Sequence, residues 1–165
     1  CIGENLVKQF YSIGSGGVRM QNSGLVPLVD FEDLPVSGFG DVLPKYRRLR
    51  KSFKILEKAL HSKDCVGLVA IDYPGFNMKL VGVAKKLGKP IYYVAPPQIW
   101  AWKSHRAKMF VGYDKIQLAV FFDFEAEAYR KAGCDVVKVS HPYAEMVNNC
   151  GCAFLKYQGE GCGVK

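Results

Sequence analysis

The chain has 165 residues, 49% of them hydrophobic and 23% charged, and a formal net charge of +8 at pH 7. These values suit one globular domain with a buried core and exclude a disordered or low-complexity protein. No apolar run approaches the ~20 residues that span a bilayer, and no basic stretch followed by an apolar one signals secretion.

The first third of the chain predicts one strand, a glycine turn and one long helix. Residues 10–14 are strand-like and lead into the turn GSGG at 14–17. Residues 25–44 hold three prolines and two glycines, so we expect mostly loop there. Over 45–60 apolar residues recur every three or four positions, which predicts an amphipathic helix with a very basic opposite face.

From residue 66 onwards, short apolar runs alternate with amphipathic segments. This alternation predicts an open, parallel, Rossmann-like α/β sheet with helices on both faces. Residues 144–165 lose the alternation and are rich in Gly and Cys, so we interpret them as a tail. The predicted strands cover 66–71, 91–95, 115–122 and 136–140, and the predicted helices cover 76–87, 104–113 and 124–133.

Polar residues follow the apolar strand 66–71, where the chain must turn. Ligands bind outside the carboxyl ends of the strands in such sheets, so Asp72 is expected at a cleft and half desolvated. Partial burial raises the pKa of a carboxylate and makes it a better proton acceptor, and Asn77 could hold a hydroxyl or phosphate. The alternative is that Asp72 is a helix N-cap or turn residue, which position alone slightly favours.

The glycine turn 14–17 could let backbone N–H groups approach a phosphate. It does not fit G-x-G-x-x-G, whose further glycine would fall at Arg19, nor a P-loop, which needs Gly-Lys-Ser/Thr. Ordinary turns also use glycine for positive φ. NAD and ATP sites therefore lack support, and we expect no cofactor.

Trp100 and Trp102 lie in a proline-bounded loop after a predicted strand. These indoles could stack on sugar rings or line an acyl pocket, although one such indole more often packs beneath its loop. His141, which precedes a proline, could donate to a phosphate. No Ser–His–Asp pattern surrounds it, so nucleophilic hydrolysis is not indicated.

The basic face of the predicted helix 45–60 has three interpretations. A solvated helix face often suffices for such a run of charge. Docking to an anionic membrane surface is the second, because apolar residues, among them Val42 and Leu43, precede the helix. Nucleic-acid binding is the least favoured interpretation, since only Tyr46 and Phe53 could stack on bases. We therefore expect no nucleic-acid partner.

The cysteines predict no metal site. Cys65 and Cys134 adjoin apolar runs and are expected in or near the core. Cys150, Cys152 and Cys162 lie in the glycine-rich tail. Their spacing is not that of the C-x-x-C pairs of zinc modules, and no His accompanies them. We expect free thiols in a reducing cytoplasm.

Several segments carry specific motifs: GGVRM (16–20), VSGFGDVLP (36–44), GLVAIDYPGFN (67–77), YYVAPPQIWAWKSHRAK (92–108), FFDFEAEAYRKAG (121–133) and VSHP (139–142). Their order and spacing resemble those of lipid-A-disaccharide synthases, a family of bacterial glycosyltransferases. The resemblance implies the N-terminal, acceptor-side domain of a GT-B enzyme, in which two Rossmann-like domains face each other across a cleft.

The resemblance also implies a hexosyltransferase activity in lipid A biosynthesis. The family joins UDP-2,3-diacylglucosamine to 2,3-diacylglucosamine 1-phosphate (lipid X), forming a β-1,6 disaccharide and releasing UDP. It works as a peripheral protein on the cytoplasmic face of the inner membrane, so the implied partners are both substrates, an anionic membrane surface and, as an option, a second copy in a homo-oligomer. The Asp of its I-D-x-P-x-F-N motif, here Asp72, would be the general base.

We place the remaining site residues on the segments that carry the resemblance. The expected substrate contacts are Gly16, Gly17, Asn77, Trp100, Trp102, Arg106, Glu125 and His141. The expected membrane contacts are Val42, Leu43, Tyr46, Arg47 and Arg48.

The sequence departs from the family in ways that affect its expected activity. We expect the chain to lack the family's first strand and G-E-x-S-G-D loop before Ile2 and the UDP-binding domain after residue 143. We therefore expect residues 1–143 to form the acceptor-side domain, residues 144–165 to be a tail, and the chain alone to be inactive. The alternatives are a non-catalytic membrane- or acceptor-binding module and a sugar-nucleotide epimerase of the same architecture.

Overall fold

The computed structural model describes residues 2–31, 42–100, 104–141 and 144. The helices and strands of this part alternate along the chain, as the sequence predicts from residue 66 onwards. In chain order they are α1 (Ile2–Gln9), β1 (Ile13–Gly14), α2 (Val18–Asn22), β2 (Val26–Pro27), α3 (Val42–His61), β3 (Leu68–Ile71), α4 (Pro74–Lys86), β4 (Ile91–Val94), a 3₁₀ helix (Ser104–Met109), β5 (Ile116–Val120), α5 (Asp123–Lys131) and β6 (Val136–Lys138).

Strands β3 to β6 form a four-stranded parallel sheet in the order β3-β4-β5-β6. Because its apolar side chains need cover, the sheet packs against α4 and α5 to make the main core. Tyr93, Leu118 and Val81 are 0% exposed there. The predicted α/β class with a parallel sheet is confirmed, and each strand lies within its predicted range. The sheet brings the segments after its strands to one edge.

Strands β1 and β2 form a separate parallel pair. Each has two residues, and the N–H groups of Val26 and Leu28 donate to the Ser12 and Gly14 carbonyls. The predicted strand over 10–14 is therefore too long, and it does not join the main sheet. The sequence analysis also missed α1 and α2, which are joined by a 2.7 Å ion pair between Glu4 and Arg19.

Helix α3 confirms the predicted amphipathic helix but begins earlier, at Val42. Val42 and Leu43 therefore lie in its first turn and not in a preceding loop. The Phe53 ring on its apolar face meets the Phe76 ring of α4 edge-on at 5.9 Å. The apolar face packs on Leu80 of α4 through Leu49, Phe53, Leu56 and Leu60. The basic face is exposed at Arg47, Arg48, Arg50, Lys51 and Lys54.

Glycines end α4 and α5 as predicted. Gly88 has φ 68° and Gly133 has φ 82°, a left-handed conformation that glycine adopts without steric cost. The helix predicted over 104–113 is wrong in type and length, because the chain forms a 3₁₀ helix and then turns at Gly112, which has φ 71°. No helix in the described ranges is long and apolar enough to cross a membrane.

The two cysteines in the described ranges lie where the sequence predicts them. Cys134 is buried in the main core, and Cys65 is half-buried against the α3–α4 cluster. Cys150, Cys152 and Cys162 lie outside the described residues, as does the predicted tail except for residue 144. Within the described ranges, no group of three or more Cys, His, Asp or Glu could hold a metal ion.

Candidate active site at the carboxyl ends of the strands

The chain turns through a left-handed conformation directly after β3. Asp72 has φ 48° and Tyr73 has φ 43°. Ala95, which follows the adjacent strand β4, has φ 52°. The Asp72 N–H donates to the Val94 carbonyl at 2.9 Å, so the sheet itself fixes the first of these turns. Such backbone costs about 1–3 kcal/mol per non-glycine residue and clusters at functional sites.

Two side chains stabilise the Asp72 turn by donating hydrogen bonds to its backbone carbonyls. The Asn77 amide donates to the carbonyl oxygens of Ile71 at 3.2 Å and Asp72 at 2.7 Å. The Tyr93 hydroxyl donates to the Asp72 carbonyl at 3.1 Å. Tyr73, and not Asp72, occupies the N-cap of α4, and no side chain caps the helix there. The interpretation of Asp72 as an N-cap is therefore wrong, whereas its place in a turn is confirmed.

The Asp72 residue is exposed. The expectation that its carboxylate is half desolvated is therefore wrong for this chain. β3 is the edge strand of the sheet, and Val69 and Ile71 of the same strand are exposed as well. An exposed carboxylate at the carboxyl edge of a parallel sheet is accessible to a ligand that approaches from that edge.

The charges of Arg106 and Asp72 both change the pKa of the buried Tyr93 phenol. Burial raises the pKa of Tyr93 well above its usual range, the Asp72 carboxylate adds to the rise, and the Arg106 charge opposes it. Burial likewise raises the pKa of Tyr129, and Arg106 again opposes the rise. Tyr93 thus stays protonated and remains a donor to the turn. The structure brings Asp72, Asn77 and Arg106 together around this phenol.

Replacing Asn77 by Ala is expected to lower the free energy of unfolding by about 1–2 kcal/mol, since two hydrogen bonds to the turn are lost. Urea unfolding of the purified chain measures this change. Lys79→Ala, at an exposed position of the same helix, is the control and should stay within about 0.5 kcal/mol. Equal stability of the Asn77 variant and the control would show that the amide does not hold the turn.

Aromatic rings form a second feature at the same edge, which we call the aromatic surface (the exposed Trp100, Phe122 and Phe124 and the half-buried His141). Trp100 packs edge-on against Phe124 with 5.0 Å between ring centroids. Phe124 stacks on Phe122 at 5.4 Å, and Phe122 lies 5.8 Å from the His141 ring. Trp100 is 51% exposed and both phenylalanines are nearly as exposed. Contiguous exposed apolar surface of this kind marks ligand or partner contacts.

Glu125 has a structural role at the start of α5. Its carboxylate accepts hydrogen bonds from the N–H groups of Phe121 and Phe122, both at 3.2 Å. This contact satisfies N–H groups that the first turn of a helix leaves unpaired. It also orients Phe122 within the aromatic surface. A substrate contact by Glu125 stays a prediction.

Gly16 and Gly17 lie on the turn between β1 and α2. A Cβ on Gly16 would come within 2.6 Å of the Leu25 side chain and 2.9 Å of the Met20 sulfur. Close packing, and not a positive φ, therefore requires glycine there. Gly17 has φ −66° and is the N-cap of α2. A phosphate contact at either glycine stays a prediction.

Comparison with known proteins places the chain in a family. The family model described as lipid-A-disaccharide synthetase matches residues 2–151. The lipid-A-disaccharide synthase of Trichlorobacter lovleyi is 40% identical over 143 residues, which cover 84% of this chain and 36% of that protein. The lipid-A-disaccharide synthase of Geobacter sulfurreducens is 38% identical over 134 residues, covering 81% of this chain and 35% of that protein.

The chain belongs to the lipid-A-disaccharide synthetase family. A third relative, the lipid-A-disaccharide synthase of Coxiella burnetii, is 37% identical over 131 residues, which cover 79% of this chain and 35% of that protein. The chain thus spans about a third of the length of the curated relatives it matches. The match includes the Asp72 turn, the aromatic surface and α3.

The remaining expected contacts fall on α3 and on the loop after β4. Tyr46 is exposed at 59%, and Arg47 and Arg48 are also exposed on α3. The side chains of Val42 and Leu43 and all of Trp102 lie outside what the structure describes. Membrane contact by these residues stays a prediction, as does substrate contact by Trp102.

The sequence analysis missed residues that shape this site. Tyr93 was assigned only to a strand, although its hydroxyl holds the Asp72 turn. The Tyr129 hydroxyl donates to the Pro97 carbonyl at 2.6 Å and thereby ties α5 to the loop that follows β4. The two tyrosines of β4 were the available signal, because a buried phenol needs a hydrogen-bond partner.

Proposed function

We propose that this chain is the acceptor-side portion of a lipid-A-disaccharide synthase. The reaction joins UDP-2,3-diacylglucosamine to 2,3-diacylglucosamine 1-phosphate and releases UDP. The Asp72 turn carries the proposal, since a strained, hydrogen-bonded turn presents one exposed carboxylate at the ligand-binding edge of the sheet. Family membership and the names of the relatives support the choice of substrates.

In the proposed reaction Asp72 acts as general base. Its carboxylate takes the proton of the acceptor 6-hydroxyl while that oxygen attacks the anomeric carbon of the donor. The bond from this carbon to the phosphate oxygen breaks, and UDP leaves with the electron pair. Attack from the opposite face inverts the anomeric centre and gives the β linkage. Acceptor binding has to displace water from the exposed carboxylate, because base catalysis requires direct hydrogen bonding to the hydroxyl.

We propose that the remaining residues at this edge bind or position the substrates. Arg106 supplies positive charge close to Tyr93 and Tyr129. The aromatic surface offers ring faces on which a sugar can stack or an acyl chain can lie. Asn77 supports the base through the backbone, and Glu125 orients Phe122, so we propose that both act by positioning.

We propose further that α3 docks the protein on the cytoplasmic face of the bacterial inner membrane as a peripheral protein. Its exposed face combines Tyr46 with a run of arginines and lysines, which suits an anionic lipid surface. Both substrates carry acyl chains, so an enzyme that acts on them has to meet the bilayer.

Replacing Arg47 and Lys51 together by Ser is expected to weaken binding to anionic vesicles about thirtyfold, since each cation near such a surface contributes about 1 kcal/mol. Both side chains are exposed on the same face of α3. Sedimentation with phosphatidylglycerol vesicles measures the affinity. The double variant Arg130→Ser, Lys131→Ser removes the same charge from the end of α5 and should bind as the unmodified chain does. Equal losses in the two double variants would refute docking through α3.

Because these 165 residues match only about a third of each relative, we propose that the isolated chain does not turn over the two substrates. The test is UDP release by the purified chain supplied with both lipids, for which we expect no rate above background. Sustained UDP release would refute this part of the proposal. Conversion of the UDP-sugar without acceptor would instead identify an epimerase.

A further inference from the structure

A groove runs between α4 and the 3₁₀ helix. Its volume is about 640 Å³, within the range of about 300–1,000 Å³ that small-molecule sites occupy. Met78, Gly82 and Met109 provide apolar lining. On α4, Met78 and Gly82 are one helical turn apart, so they share one face of the helix.

The rest of the lining is basic. We call the site the basic groove because its other lining residues are Lys85, Lys86, His105, Arg106 and Lys108. No acidic residue of the described ranges lines it. Such a concentration of one charge in a concave, partly apolar site attracts anions and strengthens their hydrogen bonds.

Lys85 fixes the two walls of the basic groove to each other. Its ammonium group donates to the Met109 carbonyl at 2.9 Å and lies 5.4 Å from the centre of the Tyr113 ring. The neighbouring Ala107 and Phe110 are buried in the main core. The groove is therefore already formed in this structure.

Gly82 is an unusual lining residue because it lies in the interior of α4. A glycine inside a helix costs about 0.5–1 kcal/mol relative to Ala, and its φ is not positive. A Cβ placed on Gly82 would meet nothing within 4 Å, so packing in the described part of the chain does not require glycine. The missing side chain leaves open space at the middle of the groove.

We propose that the basic groove binds a phosphate monoester whose organic part lies along Met78, Gly82 and Met109. Lysine, arginine and histidine donors suit the several oxygens and the double charge of a phosphate monoester. The two methionines supply a polarizable apolar surface for the attached group. The space at Gly82 admits that group. The groove shares Arg106 with the proposed substrate site, so the inference rests in part on the proposed function, and direct binding tests it separately from turnover.

The test follows the methionine methyl signals by NMR while α-glucose 1-phosphate is added to the purified chain. The Met78 and Met109 methyl signals should shift and saturate, and the signal of Met20, which lies in α2, should not. Sodium sulfate at equal ionic strength is the control and should cause smaller, non-saturating shifts. Absence of saturable shifts at Met78 and Met109, or equal shifts with sulfate, would overturn the proposal.

Variants distinguish the groove from general charge attraction. Lys86→Gln with Lys108→Gln should raise the Kd at least about tenfold, since two charged donors to the phosphate are lost. Lys58→Gln with Lys63→Gln removes the same charge from exposed positions that do not line the groove and should leave the Kd unchanged. Gly82→Leu should abolish the methyl shifts without lowering the urea midpoint, because leucine favours helix. Equal effects of the two lysine pairs, or binding that survives Gly82→Leu, would contradict the proposal.

A second experiment distinguishes a lipid headgroup from a soluble phosphorylated sugar as the ligand. Vesicles with phosphatidic acid present a phosphate monoester, whereas phosphatidylglycerol vesicles of equal charge do not. Preference for phosphatidic acid that is lost in Gly82→Leu would indicate a lipid headgroup, and response to glucose 1-phosphate alone would indicate a soluble phosphorylated sugar. Shifts of the same size with polyglutamate would overturn the proposal in favour of an acidic protein partner.

Discussion

Replacing Asp72 by Asn is expected to lower kcat about 10²–10⁴-fold, the range that a general base contributes. The measurement uses a grafted protein, in which residues 2–143 replace the segment that they match in the Trichlorobacter lovleyi relative. Asparagine keeps the shape of the side chain and tolerates the left-handed backbone at φ 48°, since Asn is among the residues enriched there. The loss should therefore appear in kcat with little change in stability.

Asp114→Asn is the matched control for that experiment. Asp114 is an exposed carboxylate in the turn before β5, at the opposite edge of the sheet from Asp72. Its replacement should leave kcat within about twofold, because surface substitutions far from a site change little. A grafted Asp72→Asn protein that retains the turnover of the control would show that another group accepts the proton.

Replacing Leu118 by Ala is expected to lower the free energy of unfolding by about 3–5 kcal/mol, because it removes a large side chain from a packed core and leaves a cavity. Leu118 is 0% exposed, at the centre of the main core in β5. Urea unfolding of the isolated chain measures the change. A loss of this size could unfold a domain of ordinary marginal stability.

The control is Leu87→Ala, which follows α4 at a position 36% exposed. It should cost about 1 kcal/mol or less, since little apolar surface leaves a buried environment. Similar losses for the two leucines would mean that β5 does not lie at the centre of the sheet, and the architecture would then have to be revised.

Much of the main sheet could be predicted because its signals are local. The runs around Leu68, Ile91 and Ile116 are apolar and bounded by turn residues, and the helices between them end in glycines with positive φ. The periodicity of α3 likewise identified its buried and basic faces. Each of these signals lies within one segment of the chain.

The parts that could not be predicted depend on contacts between distant residues. Asp72 was expected to be half-buried because it follows an apolar strand, but its left-handed turn is held by Tyr93 of the next strand. Two further features also depend on contacts between residues far apart in the sequence. They are the separation of β1 and β2 from the main sheet and the pairing of Glu4 with Arg19. The basic groove arises only when α4 meets the 3₁₀ helix.

The most direct test of the central claim is UDP release by the grafted protein supplied with UDP-2,3-diacylglucosamine and 2,3-diacylglucosamine 1-phosphate. If residues 2–143 form the acceptor side of a lipid-A-disaccharide synthase, the graft should release UDP only when the acceptor is present. Its product should be the β-1,6 disaccharide. A graft that folds and binds the donor but releases no UDP with the acceptor would contradict the account.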